Sequence, residues 1–216
     1  MPSLIYIADP MCSWCYGFGP ELAGLREGLP GLPVQVVLGG LRPNTVQPLD
    51  PALRTTLKTH WASVEERTGL PFRADALDRP GFVYDTEPAC RAVVAARMLA
   101  PEAHLEVFTA IQRGFYTEGK DVTQEPVLAE LACDALEKAG SGVDTMSFLA
   151  AFRSDATIAV TRNDFMQVKQ WGVAGFPTLV LERDGRLDLV TSGYMAMPAL
   201  VDALQALVDT TPEQGQ

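Results

Sequence analysis

Two cysteines two residues apart stand near the start of the chain, in ADPMCSWCYGF, residues 8–18. A pair so spaced can ligate a metal, close a small structural loop or exchange electrons. A structural zinc site normally takes four ligands. Only Cys90 and Cys133 remain as further cysteines, and the two histidines, His60 and His104, stand alone in helical segments, so no metal is expected. A purely structural disulfide between Cys12 and Cys15 would close a very small loop, where the entropic gain is least. Thiol exchange is the reading that remains, with Cys12 as attacking sulfur and Cys15 as the thiol that resolves the intermediate.

That chemistry needs a thiolate. A free cysteine with a pKa of about 8.5 is only ~3% ionised at pH 7. A helix N-terminus offers unpaired N–H groups and a dipole contribution of ~0.3–1 kcal/mol, which lowers a pKa by less than one unit. Direct hydrogen bonds to the Cys12 sulfur, from the Cys15 thiol or from main-chain amides, would have to supply the rest. Cys12 is expected at an exposed first-turn position and Cys15 one turn deeper. Ser13 and Trp14, between them, carry no positive charge to hold a thiolate. Couples of this kind span roughly −270 to −120 mV, and the uncharged dipeptide predicts a couple in the more reducing half. Asp9 reads as the residue that ends the preceding strand, its carboxylate turned away.

The surrounding elements suit this placement. Leu4 to Ala8 reads as a buried strand stopped by Asp9-Pro10. A helical segment follows, in which Pro20 either kinks one helix or opens a second. Val34, Val36 and Leu38 alternate as a second strand. From about Pro51 to about Arg153 the pattern is helical, with apolar stripes such as Cys90-Val93-Val94-Met98 and Leu105-Phe108-Ile111-Gln112-Phe115; Thr86 is placed to cap the first of these. A further helix, with Ile158, Phe165 and Met166 on one face, ends near Gly172. Thr178–Glu182 and Leu187–Thr191 then flank the hairpin signal Asp184-Gly185. A closing helix opens at Pro198, with Leu200, Leu204, Leu207 and Val208 on one side, and residues 211–216 read as a polar, frayed tail. The order β-α-β, helices, α-β-β-α predicts an α/β thioredoxin-like fold with a large all-helical insertion: residues 1–42 and 154–216 form the thioredoxin-like domain and 43–153 the inserted one.

Composition bounds the partners. The 216 residues carry a formal net charge of −10, with 27 acidic and 17 basic side chains. No basic cluster is present, so nucleic-acid binding is not expected. No segment approaches a membrane span. Four cysteines are too few for a disulfide-stapled secreted scaffold. The short apolar run before Asp9-Pro10 is too brief for an export signal. With Met1 as the native start, the expected location is the cytoplasm.

The partner for the cysteine pair comes late in the chain. Phe176-Pro177 lies in GVAGFPTLVL, just before an apolar strand, and is a candidate cis peptide. On these motifs the chain resembles the DsbA-like thiol–disulfide oxidoreductases of the thioredoxin superfamily, in the branch of cytoplasmic protein-disulfide isomerases. The likeness covers nearly the whole chain and is most specific at residues 9–18 and 172–180. It implies Cys12 as nucleophile, Cys15 as resolving cysteine, and Phe176-Pro177 as the proline loop whose backbone pairs with an extended substrate. Apart from the resemblance, Trp14, Tyr16 and Phe18 serve as well for an apolar substrate rim as for core, with Trp14 the substrate-binding candidate among them. The substrates implied are proteins or small molecules bearing thiols or disulfides. No bound cofactor is implied, the redox centre being the Cys12–Cys15 pair itself, with glutathione a candidate electron partner. Two departures stand out. Tyr6 occupies the position of the buried acid of thioredoxins, so another group or water must move the Cys15 proton, and no histidine lies between the cysteines as it does in periplasmic DsbA proteins.

Two rivals are compatible with the same layout. Kappa-class glutathione transferases and hydroxychromene-carboxylate isomerases share the helical insertion but usually carry serine where Cys12 stands. A non-enzymatic peptide-binding module is the other. Cys90 and Cys133 read as small buried hydrophobes, His60 and His104 as surface or packing residues, and Arg91 as a cation that could face the thiols.

Overall fold

The computed structural model describes residues 2–209, with the side chains of 208 and 209 excepted. The chain opens with strand β1 (Ser3–Ala8), a five-residue helix α1 (Ser13–Gly17), helix α2 (Gly19–Gly28) and strand β2 (Val34–Leu38). Pro20 therefore opens a second helix rather than kinking a single one. Five helices follow: α3 (Pro51–Thr68), α4 (Glu87–Leu99), α5 (His104–Tyr116), α6 (Glu125–Lys138) and α7 (Thr145–Arg153). The chain then returns through α8 (Asp155–Gln170), β3 (Thr178–Arg183), β4 (Arg186–Ser192) and α9 (Met197–Asp209). This is a thioredoxin fold with a helical insertion.

The sheet order is β2-β1-β3-β4. β1 runs parallel to β2, with Leu4 opposite Val34 and Ala8 opposite Leu38, and antiparallel to β3, with Tyr6 opposite Leu179. Every residue of β1 is buried because both faces of the sheet are covered. Leu4, Tyr6 and Ala8 join the main core with Leu179 and Leu181. Ile5 and Ile7 point the other way, into a small cluster with Val168 and Val180. The two-residue period of a strand makes that division.

The helical segment does more than pack on this sheet. β2 is an edge strand, and its free main-chain groups are taken by side chains from the helices. Val36 N–H donates to His104 Nε2 at 3.4 Å, and the Val36 carbonyl accepts from Arg97 Nη1 at 2.6 Å. Leu38 N–H donates to Asp164 Oδ2 at 3.0 Å, while Arg97 grips both Asp164 oxygens at 2.9 Å. An edge closed in this way is protected from pairing with another chain. The main core runs without a break from the sheet into α4, α5 and α6.

Two local expectations differ from the structure. Thr86 occupies the N-cap position of α4, but its hydroxyl accepts from Arg42 N–H at 3.1 Å instead of capping the helix. Met166 is 54% exposed; the buried residues of α8 are Thr157, Thr161 and Val168, with Thr157 against Met98 of α4 and Val168 in the small cluster on the sheet. In α9, Leu200 and Leu204 are buried as the stripe predicts. The side chain of Val208 and the tail 211–216 lie outside the described residues.

Candidate active site

Asp9-Pro10 turns the chain sharply out of β1. Asp9 Oδ1 accepts from Met11 N–H at 2.8 Å and the Asp9 carbonyl from Cys12 N–H at 3.0 Å, the local bonding for which aspartate is favoured in turns. Cys12 is then the extended N-cap residue of α1, and its carbonyl takes the first helical bond, from Tyr16 N–H at 3.0 Å. Cys12 is less open than its position suggested, at 7% exposure, and Cys15 is fully enclosed. α1 is also a single turn, broken at Phe18, so the dipole behind Cys12 is that of a short helix rather than a long one.

The Phe176–Pro177 peptide is cis. Fold topology brings it to the cysteines across 164 residues of chain, and Cys12 Sγ lies 3.7 Å from the Phe176 carbonyl oxygen, which accepts from the thiol. The Phe176 ring lies against Gly39, where an added Cβ would fall 2.1 Å from a ring carbon; the glycine at the end of β2 makes room for it. Pro177 is buried, and its carbonyl accepts from Gly193 N–H at 2.7 Å. Trp14, half-buried, stacks obliquely on Tyr194 with ring centroids 5.8 Å apart. Cys12, Cys15, Trp14, Phe176 and Pro177 thus come together.

Beneath the two sulfurs lies a buried polar floor. Asp9 is wholly enclosed and aimed under the turn, not away from it. The sequence reading missed this, although an aspartate two residues before a free N–H, with proline between, is the local signal for a side chain folded back on its own turn. Its Oδ2 accepts from Leu41 N–H at 2.7 Å and from the Cys90 thiol at 3.4 Å, and the Thr86 hydroxyl is also within hydrogen-bonding reach. Burial raises its pKa above 3.8, against the pull of these donors. The Cys15 thiol is pushed well up by burial, then by its contact with Cys12, and further by the Asp9 charge; the Asp9 main-chain amide works in the opposite direction.

Two tyrosines complete the floor. Tyr84 donates its hydroxyl to the Met11 carbonyl, so the segment leading into α4 holds the peptide just before Cys12. Tyr6 donates to the Cys15 carbonyl at 3.3 Å. Burial lifts the pKa of both phenols, keeping them neutral donors.

The remaining candidates lie elsewhere. Arg91 pairs with Glu87 at 3.0 Å and covers the Phe152 ring at 4.2 Å, so it serves the α4–α7 contact and not the thiols. Cys90 is buried against Asp9, and Cys133 is half-buried in α6. His60 is exposed, while His104 supports β2. Of the three aromatics near α1, Phe18 is core and Tyr16 stacks on Tyr116 at 4.8 Å, leaving Trp14 at the rim. Among the described residues no three His, Cys, Asp or Glu side chains converge as a metal site, and no helix is long and apolar enough to cross a membrane.

A sheet of this order with a cysteine pair at the β1–α1 junction, faced by a cis-proline turn, defines a thioredoxin-type protein. The DsbA-like thioredoxin domain profile matches residues 4–205, and the chain belongs to that family of thiol–disulfide oxidoreductases. A candidate protein disulfide isomerase from Nitrosomonas europaea is 40% identical, with 98% of this chain and 99% of that one covered and a TM-score of 0.89. The cytosolic disulfide reductase DsbM from Pseudomonas aeruginosa is 31% identical over 96% and 98% of the two chains, with a TM-score of 0.77. A 2-hydroxychromene-2-carboxylate isomerase, at 16% identity over 99% of both chains and a TM-score of 0.65, shares the fold alone. No curated protein matches the sequence.

Proposed function

We propose that the chain exchanges disulfides through Cys12 and Cys15, poised toward reduction. The observation that carries this reading is the pair of thiols, Cys12 slightly exposed and Cys15 fully enclosed behind it, with the Cys12 sulfur against the Phe176 carbonyl. The Cys12 thiolate attacks one sulfur of a substrate disulfide and expels the other as a thiolate, which takes up a proton. Cys15, deprotonated, attacks Cys12 Sγ, releasing the second substrate thiol and leaving a Cys12–Cys15 disulfide. Two substrate sulfurs are reduced and two enzyme sulfurs oxidised. Two further thiols reset the pair, and isomerisation is the same first step reversed onto another substrate sulfur.

The high pKa of Cys15 keeps it a thiol until the mixed disulfide forms, and the buried Asp9 disfavours additional negative charge nearby. Both features, with the uncharged Ser13-Trp14, support a reducing couple rather than a strong oxidant. Phe176 and Pro177 would pair with the substrate backbone, and Trp14 would cover its side chains. Glutathione is the proposed electron partner; a structure of the Pseudomonas aeruginosa DsbM protein with GSH, 29% identical to this chain, supports that choice. The cytosolic setting of that protein likewise supports a cytoplasmic location.

One experiment separates exchange from glutathione transfer. The Cys15→Ser variant is expected to accumulate a mixed disulfide with Cys12, visible by intact-mass spectrometry, with turnover reduced at least about a hundredfold. Multiple turnover by that variant without a trapped adduct would refute the exchange reading.

A further inference from the structure

The Tyr194 side chain is built into the edge of the site by contacts that its distance in sequence from Cys12 conceals. Its hydroxyl donates to Glu21 Oε1 at 2.9 Å, and Met197 N–H holds the other oxygen of that carboxylate at 2.8 Å. Its ring meets Trp14 at 5.8 Å and Phe18 at 6.4 Å. Gly193, the residue before it, is bonded to the Pro177 carbonyl. The ring therefore continues the surface that runs from the proline turn past Trp14. The guanidinium carbon of Arg67 lies over the same ring, 5.5 Å from its centroid.

Arg67 arrives there because the last turns of α3 pack on α1. Gly17 permits the approach: a Cβ at that position would stand 2.7 Å from Val64 Cγ1. The Arg67 side chain is exposed, and among the described residues it makes no ion pair. Glu21, the acid nearest the ring, has both oxygens occupied by Tyr194 and Met197. An unpaired cation at this place contrasts with a chain of net charge −10, whose overall field repels anions.

We propose that Trp14, Tyr194 and Arg67 form a binding ledge that selects thiols and disulfides carrying a carboxylate near the sulfur. This deepens the exchange reading above and rests on it. A substrate laid against the proline turn meets the Trp14 and Tyr194 rings with its apolar part, and its carboxylate reaches the guanidinium, whose fork of donors suits that group. Arginine in the last turn of a helix also complements the helix dipole, but a role in α3 alone would not discriminate substrates by charge.

The test compares oxidised glutathione, neutral hydroxyethyl disulfide and cationic cystamine with the wild-type protein, Arg67→Gln and Arg67→Glu. The ratio of kcat/KM for oxidised glutathione to that for hydroxyethyl disulfide is expected to fall about threefold in Arg67→Gln and about tenfold in Arg67→Glu, through KM. The same ratio for cystamine is expected to rise in Arg67→Glu. Both changes should shrink at about 1 M salt, where screening is short-ranged. Ratios that stay constant across the three proteins would overturn the ledge. Calorimetric titration with S-methylglutathione, which cannot exchange, reads the ledge separately from turnover. Weaker binding to Arg67→Glu supports it, and equal binding counts against it even if exchange proceeds.

Discussion

The two sides of the cysteine pair are built on different principles. Below the sulfurs, Asp9, Tyr6, Tyr84 and Cys90 are enclosed, and Asp9, Tyr6 and Tyr84 are tied to the main chain of residues 11, 15 and 41. Above them, Trp14, Phe176 and Tyr194 are only half-buried, and Arg67 is exposed. In a dry interior a charge or an unmet hydrogen bond is costly, so small changes there alter the energies of thiol and thiolate. At the wet rim charges are screened, and the same changes alter what binds. Ionisation of Cys15 is thus a property of the floor, and choice of substrate a property of the rim.

Asp9→Asn should separate the two sides most sharply. An amide cannot accept from all the donors that converge on the carboxylate, so the variant is expected to lose about 2 kcal/mol of stability, read from the midpoint of urea unfolding. It also removes a negative charge beside Cys15, so the pH at which the mixed disulfide is resolved half-maximally should move down. Stability against pH gives the sign independently. Burial raises the Asp9 pKa in the folded protein above 3.8, so its stabilising contribution is full below that value and declines as pH rises through the folded pKa. The variant should lack that decline. A resolution profile unmoved by Asp9→Asn would break the link between floor and ionisation.

Tyr84→Phe is expected to have a smaller effect. It removes the hydroxyl that meets the Met11 carbonyl and should cost about 1 kcal/mol in unfolding experiments. Alkylation of Cys12 should respond in rate while KM for substrates changes little. Trp14→Ala, on the rim, should have the smallest effect on stability and the reverse kinetic signature, with kcat/KM reduced about threefold through KM. If Trp14→Ala instead moved the pH profile of the thiols, the division between the two sides would fail.

The helical insertion belongs to the floor more than its place in the chain suggests. Tyr84 and Cys90 come from it, and Arg97 and His104 close the open edge of β2. The periodic stripes in Cys90-Val93-Val94 and in Leu105-Phe108-Ile111 revealed where these helices bury apolar surface, because repeat spacing reports a face. They carried no signal for Tyr84 or Thr86, whose partners lie more than forty residues away in sequence. Arg91 and Met166 show the same limit from the other side. Each sits at a plausible helical position, and neither faces what the spacing alone suggested.

What the sequence by itself determined is therefore local: a strand stopped by Asp9-Pro10, two thiols one helical turn apart, an apolar strand after Phe176-Pro177, and the order of elements that yields this fold. Backbone preference and hydrophobic period act over a few residues, so they can be read without coordinates. Only the tertiary structure decided that Asp9 turns inward, that Cys12 meets the Phe176 carbonyl, and that Tyr194 and Arg67 stand beside Trp14. Those contacts join residues far apart in the chain, and close packing of the whole core selects among side-chain directions that local sequence leaves equally open.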